Sequence, residues 1–169
     1  MLEFSRWIAA TSLSALIDNA LWVIPTVQTI HIICLALLFS SVGAVALASY
    51  GRLGKTVSLA QMGARFAPWI WGSLLILLIT GTILIIGEPE RELINWAFWI
   101  KIPLLVVTAA ATALFMSSLG RSDTVGDVAF QARARTQINV LVGLWALVVI
   151  FGRLIAYAQI SASGPEPVP

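Results

Sequence analysis

The sequence predicts an all-α integral membrane protein, a four-helix bundle with an amphipathic N-terminal helix in the membrane interface. Apolar residues make up 59% of the chain and charged residues 11%, with a mean hydropathy of +0.94. A soluble domain of 169 residues cannot bury so much apolar surface. Apolar stretches of about 20 residues, the length that crosses a bilayer, occur four times between short polar loops. Lipid is therefore expected to cover most of this chain.

Residues 1–25 form the predicted interfacial helix. Apolar side chains recur at helical spacing between residues 3 and 20, while Glu3 and Arg6 lie off that stripe. A helix with one apolar and one polar face lies along the membrane surface rather than across it. Trp22 follows as an interfacial anchor. The segment lacks the basic start and small-residue cleavage site of a signal peptide, so we expect it to be retained.

Residues 26–160 hold the predicted bundle. The loops between the apolar stretches leave no room for a separate soluble domain. The tail at residues 161–169 is Pro-rich, and we expect it to be disordered. The four predicted crossings are residues 26–50, 67–87, 96–119 and 138–160.

Loop charges predict the orientation, because Lys and Arg accumulate in loops that stay in the cytoplasm. The loops after the first and third crossings are rich in these residues, and the opposite side collects most of the acidic ones. We therefore expect a multi-pass protein of the bacterial inner membrane with both termini on the outer, periplasmic side. The loop cations are Arg52, Lys55, Arg65, Arg121, Arg133 and Arg135.

The residue pattern argues against several classes of function. The net charge of +2 is scattered without a dense basic run, which disfavours nucleic acid as a partner. The single cysteine, Cys34, lies in an apolar run and is interpreted as a packed hydrophobe. No zinc-ligand array, phosphate-binding glycine loop or G-x-S-x-G motif occurs. The sequence predicts no catalytic residues.

Small and aromatic residues mark candidate contacts with other membrane subunits or a second copy. Gly43 and Ala44 give the first crossing a small-residue face, which lets another helix approach closely. Trp7, Trp22 and Trp99 fall near the predicted outer interface, where tryptophan anchors membrane proteins. These five positions are the predicted interface candidates.

His31, Lys101 and Arg153 are the candidate cofactor-binding residues. Counted along their helices, they fall within a turn or two of one depth near the outer face. Ionisable groups inside a crossing are costly and are functional candidates by default. For the two cations the alternative is structural, either snorkelling to the interface or pairing with an acidic residue of the loop at residues 88–95.

His31 is the only histidine in the chain, and it is a candidate ligand for haem b or a quinone. The alternative is a histidine hydrogen-bonded in the headgroup region or to a neighbouring helix. Met116, the second haem ligand suggested by residue type, lies near the opposite end of a parallel crossing, roughly 20 to 25 Å away by helical rise. We therefore predict no metal site, with His31 a metal ligand only if haem is bound.

The order of landmarks resembles that of an uncharacterised family of small bacterial four-helix membrane domains, distantly similar in layout to the copper-resistance D membrane proteins. The matching pieces are IHIICLALLF with His31, RLG at residues 52–54, PWIWG at 68–72, Thr80 with Gly81, and NWAFWIK at 95–101. This resemblance implies the fold and no established activity.

The chain departs from that family at two places. Such domains often carry an acidic residue before the RLG turn, where this chain has Ser49 and Tyr50, and a histidine late in the third crossing, where it reads LFMSS. A haem role that needs the second histidine is therefore not implied. We expect a non-enzymatic accessory or structural subunit of a larger inner-membrane complex. The alternative is a redox or cofactor-binding membrane subunit that uses His31.

Overall fold

The computed structural model describes residues 2–52, 57–121 and 128–162, and every element in them is helical. This confirms the predicted all-α class. The predicted disordered tail lies outside the described residues, apart from the end of the last helix. The helices are α1 (Leu2–Ala9), α2 (Ser12–Asn19), α3 (Val23–Ser49), α4 (Leu59–Gly87), α5 (Pro89–Leu93), α6 (Trp96–Arg121) and α7 (Val128–Ala162).

Four of these helices are long and apolar enough to cross a membrane, as predicted. A helix satisfies its own backbone hydrogen bonds, which is what a crossing in lipid requires. The protein is therefore a multi-pass membrane protein whose outward-facing apolar side chains contact the bilayer. The crossing segments are Val23–Ser49, Leu59–Gly87, Trp96–Leu119 and Phe130–Leu154.

The four long helices pack around one core. α3 packs against α4 and α7, and α6 packs against α7 and α4, so that α3 lies diagonally opposite α6. The core between them is apolar and includes Leu38, Ile70 and Ile138, each at most 1% exposed. Trp145 of α7 is fully buried there, and its Nε1 donates a hydrogen bond to Thr112 Oγ1 at 3.2 Å.

Two of the long helices begin before the apolar stretch that was predicted to cross the membrane. α4 starts at Leu59 rather than residue 67, and α7 starts at Val128 rather than residue 138. For α4 the reason is a capping box. The Ser58 side chain accepts from Gln61 N at 3.1 Å, and the Gln61 side chain accepts from Ser58 N at 3.0 Å. The cap and not hydropathy sets this boundary, so the helix begins before its predicted apolar stretch.

The N-terminal segment is two short helices rather than one. Thr11 separates them. Its hydroxyl group donates a hydrogen bond to Ile8 O at 2.6 Å, and its Oγ1 accepts one from Ser14 N–H at 3.3 Å, which caps α2. α1 packs against α5 and α2 packs against α4. We call α1 and α2 together the cap, since they cover one end of the bundle.

The cap turns small polar residues toward the bundle. Ser5 is fully buried and Ser14 is 4% exposed, together with Ile17 at 9%. The predicted apolar stripe is thus divided, because its larger members face outward. Those exposed members are Phe4, Trp7, Leu13 and Leu16.

The residues after the second crossing form a helix where the sequence predicted a loop. α5 is a single short helix that has Pro89 in its first turn, a position where proline is favoured because its missing N–H would have no partner. Its Pro89 and Leu93 side chains are buried. α5 therefore gives the cap a surface to pack against.

Polar contacts join α3 to α7 at the opposite end of the bundle, where α3 ends and α7 begins. Arg135 Nε donates to Ser49 O at 2.7 Å, one of the carbonyls that a helix C-terminus leaves without a partner. The same guanidinium lies over the Tyr50 ring at 5.7 Å, and Asn139 Nδ2 donates to Tyr50 Oη at 2.5 Å. These contacts fix α7 against the last turn of α3.

Candidate functional site at the α5 end of the bundle

The polar residues predicted inside the crossings meet at one end of the bundle. We call it the α5 end, where α3 begins, α4 ends, α6 begins and α7 ends. His31 lies on α3 and Lys101 on α6, and both are half-buried. Their helices lie at diagonal corners of the bundle, and both residues lie toward the same end of it.

His31 is held by a threonine on α4. Its Nδ1 lies 2.8 Å from Thr80 Oγ1, and Thr80 is 5% exposed. The Thr80 hydroxyl has one hydrogen, which it donates to Ile76 O at 2.7 Å, so it accepts from His31 Nδ1–H. In the neutral ring this tautomer leaves the lone pair on Nε2. His31 thus offers a hydrogen-bond acceptor and a possible metal ligand at Nε2.

The glycine after Thr80 lies beside the imidazole. A Cβ at Gly81 would lie 3.7 Å from His31 Cε1, which is an ordinary contact distance, so the ring packs against the α4 backbone. Thr80 thus accepts a hydrogen bond from the ring, and Gly81 lies in contact with it.

Lys101 extends toward α7. Its Nζ would be 3.7 Å from a Cβ at Gly152, so the ammonium lies against a helix surface that has no side chain. Arg153, the third candidate, follows Gly152 on α7, and its side chain is exposed. The structure therefore places Lys101 against α7 and His31 against α4 at the same end of the bundle, and leaves Arg153 on its surface.

α5 supplies the acidic groups of this end. Burial raises the pKa of the Glu92 carboxyl above its usual range, and Glu88 adds to that rise, while the Lys101 and Arg91 charges partly offset it. Glu88 forms an ion pair with Arg91 within α5. Glu92 is one of the acidic residues predicted as partners of Lys101, and the two charges influence each other.

Met116 lies far from His31, which agrees with the separation predicted from helical rise. Its Cε would be 3.8 Å from a Cβ at Gly63, near the start of α4, whereas His31 lies against Gly81 near the end of that helix. At 1.5 Å per residue these two glycines are about 27 Å apart. Met116 is therefore too far from His31 to bind the same haem iron. Of these two residues, only His31 could be an axial ligand at this end of the bundle.

The predicted interface residues differ in what they contact. A Cβ at Gly43 would have no atom within 4 Å, and Ala44 is half-buried. Trp7 and Trp22 are 66% and 71% exposed. Trp99 is 46% exposed, and its Nε1 donates to Leu93 O at 2.9 Å, which joins α6 to α5. Trp99 thus joins two helices, whereas Trp7 stacks on Phe4 of its own helix and Trp22 is largely exposed. Gly43 has open space around it.

Two features of this site are not readable from the sequence. The contact of Thr80 and Gly81 with His31 follows only from the register of α3 against α4. The contact of Lys101 with Gly152 follows from the packing of α6 against α7. The capping box at Ser58 was readable as S-x-x-Q.

No protein-family model, curated protein or solved structure matches this chain. The resemblance to the four-helix membrane domains therefore stays a prediction.

Proposed function

We propose that this protein is a non-enzymatic accessory or structural subunit of a larger complex in the bacterial inner membrane, with both termini on the periplasmic side. The observation that carries the proposal is the open surface at Gly43. α3 packs against α4 and α7 through its other residues, and a Cβ at Gly43 would meet nothing within 4 Å.

A small-residue face in a membrane helix allows a second helix to approach its backbone closely. In lipid, where the hydrophobic effect does not drive helices together, such close packing is the main source of association energy. The exposed Trp7 and Trp22 side chains lie on and beside the cap, so they extend the available surface to the membrane interface. A partner helix on α3 that also contacts the cap would cover these positions.

Purification of the tagged protein from its native membrane in a mild detergent tests this proposal. We expect a stoichiometric membrane partner to remain bound, and Gly43→Leu to reduce its recovery at least fivefold. Gly72→Leu is the matched control, because a Cβ at Gly72 on α4 also meets nothing within 4 Å. A wild-type chain that is monomeric and brings down no stoichiometric partner would contradict the proposal, and so would equal loss in both variants.

A second candidate function is supported by the tautomer of His31. We propose that the α5 end binds the head group of a membrane quinone. His31 Nε2 accepts a hydrogen bond from a quinol hydroxyl, and the Lys101 ammonium donates one to a quinone carbonyl. His31 also fits haem b as one axial ligand, because a metal-binding histidine normally donates its other ring N–H to a fixed acceptor. A quinone head group needs only hydrogen bonds from the protein, so it matches His31 and Lys101 better than haem b does.

Binding of a short-chain quinone to the purified protein tests this second function. His31→Ala is expected to weaken binding about tenfold, the loss that corresponds to one hydrogen bond of about 1.4 kcal/mol. Thr29→Ala on the same helix is the control, because Thr29 is exposed and bonds only its own helix at Pro25 O. Unchanged affinity in His31→Ala contradicts the quinone site. A Soret band that disappears in His31→Ala would assign haem instead.

A further inference from the structure

An open groove lies between the cap and α5, away from His31. Its volume is about 620 Å³. α2 contributes Ser14 and Asn19 to its walls, and α5 with the residue before it contributes Glu88, Glu90 and Arg91. Pockets of roughly 300–1,000 Å³ are of the size that holds a small ligand or the head group of a larger one.

The charged groups of the groove are only partly paired. Arg91 Nη1 forms the ion pair with Glu88, which uses one of the five donors of the guanidinium. Arg91 Nε is buried and has no hydrogen-bond partner among the described residues, so only the outer nitrogens of the guanidinium can meet a ligand in the groove. The Arg91 side chain is 27% exposed. The Glu90 side chain is exposed, and no described residue donates to its carboxylate. The groove thus presents an exposed carboxylate beside the outer N–H groups of a partly exposed guanidinium.

The groove lies next to the end of a crossing helix, the level at which we expect lipid head groups. Its α5 residues directly follow Gly87, where the crossing helix α4 ends. Two exposed tryptophans, Trp22 and Trp96, flank this end of the bundle, and tryptophan concentrates at that level of the membrane. Leu13 and Leu16, on the same helix as Ser14, are 53% and 70% exposed. Acyl chains could follow this apolar face of α2 while the head group occupies the groove.

From this arrangement we infer that the groove binds the head group of a phospholipid that carries a primary amine, of the phosphatidylethanolamine type. The lipid ammonium donates to the Glu90 carboxylate. The lipid phosphate accepts from the Arg91 guanidinium, whose planar N–H groups suit phosphate oxygens. One zwitterionic head group thereby pairs with both side chains.

The charge balance distinguishes this lipid from its common alternatives. Glu88, Glu90 and Arg91 together carry a net negative charge, so a purely anionic phosphatidylglycerol head group is disfavoured. Phosphatidylcholine is zwitterionic, but its trimethylated nitrogen has no hydrogen to donate to Glu90. Ethanolamine is the head group that provides both the charge pattern and the N–H donors.

Native mass spectrometry of the full chain in detergent tests the inference. The protein is delipidated and offered equal amounts of phosphatidylethanolamine, phosphatidylcholine and phosphatidylglycerol with identical acyl chains. We expect the wild type to retain phosphatidylethanolamine about fivefold over the other two. Glu90→Gln should bring phosphatidylethanolamine down to the level of phosphatidylcholine, while Glu3→Gln, an exposed carboxylate of the cap that does not line the groove, should keep the preference.

A second variant keeps the test decisive if Glu90→Gln alters the cap. Arg91→Gln, compared with Arg6→Gln, is expected to lower retention of all three lipids because each carries a phosphate. Equal retention of the three lipids by the wild type overturns the inference, as does a preference unchanged in Glu90→Gln. Free phosphoethanolamine that displaces the lipid at equal concentration overturns the assignment to a lipid. These readouts are independent of partner recovery and quinone binding.

Discussion

Replacing Trp145 with alanine is expected to lower the free energy of unfolding by about 3 kcal/mol or more, the range seen when a large buried aromatic side chain is truncated. Trp145 is 0% exposed and lies in the core between the long helices. Its removal leaves a cavity that lipid and water do not reach, and it strips Thr112 Oγ1 of its donor. A reversible SDS-unfolding titration in mixed micelles measures the change.

Trp69→Ala is the matched control for this prediction. Trp69 lies on α4 and is 55% exposed, so its truncation opens no internal cavity and should change the free energy of unfolding by less than about 1 kcal/mol. Trp145→Phe keeps most of the volume and removes the indole N–H, and it should cost about 1 kcal/mol. A Trp145→Ala protein as stable as Trp69→Ala would show that the bundle is not packed as described.

Replacing Gly87 with leucine is expected to detach the cap, with a loss of about 2 kcal/mol from overpacking. Gly87 ends α4 and is buried. A Cβ there would lie 2.5 Å from Ile24 Cδ1 and 2.9 Å from Ile17 Cγ2. Ile17 belongs to α2, so the added side chain pushes directly on the cap. Faster hydrogen exchange in α1 and α2, with the long helices unchanged, is the expected signature.

Gly72→Leu again provides the comparison, since it makes the same chemical change on the same helix. A Cβ at Gly72 meets nothing within 4 Å, so this variant should keep the exchange rates of the cap. If the two variants exchange alike in α1 and α2, the cap does not depend on the close contact at Gly87.

The sequence by itself determined the class of this protein. Four apolar stretches of membrane-spanning length permit only helices, because lipid offers no partners for an open backbone. The burial of Cys34 followed as well, since it stands in an apolar run away from the interface. These inferences need only composition and length, which are properties of each segment alone.

The helix ends were less predictable from hydropathy. Hydropathy marks where lipid contact stops, but a helix continues until its cap, as at Ser58. The break at Thr11 and the helix α5 have the same origin, since both depend on local hydrogen bonds and on a neighbour to pack against. Sequence periodicity carried through Thr11 as if the N-terminal helix were continuous.

Only the tertiary structure decided what the polar residues contact. Depth along each helix placed His31 and Lys101 at one level, but the rotation of a helix about its axis follows from packing with its neighbours. That rotation turned His31 onto Thr80 and Lys101 onto Gly152, and it left Arg153 at the surface. Contacts between side chains on different helices depend on how those helices pack together. The hydropathy of each segment predicts a membrane bundle, but it does not predict those contacts.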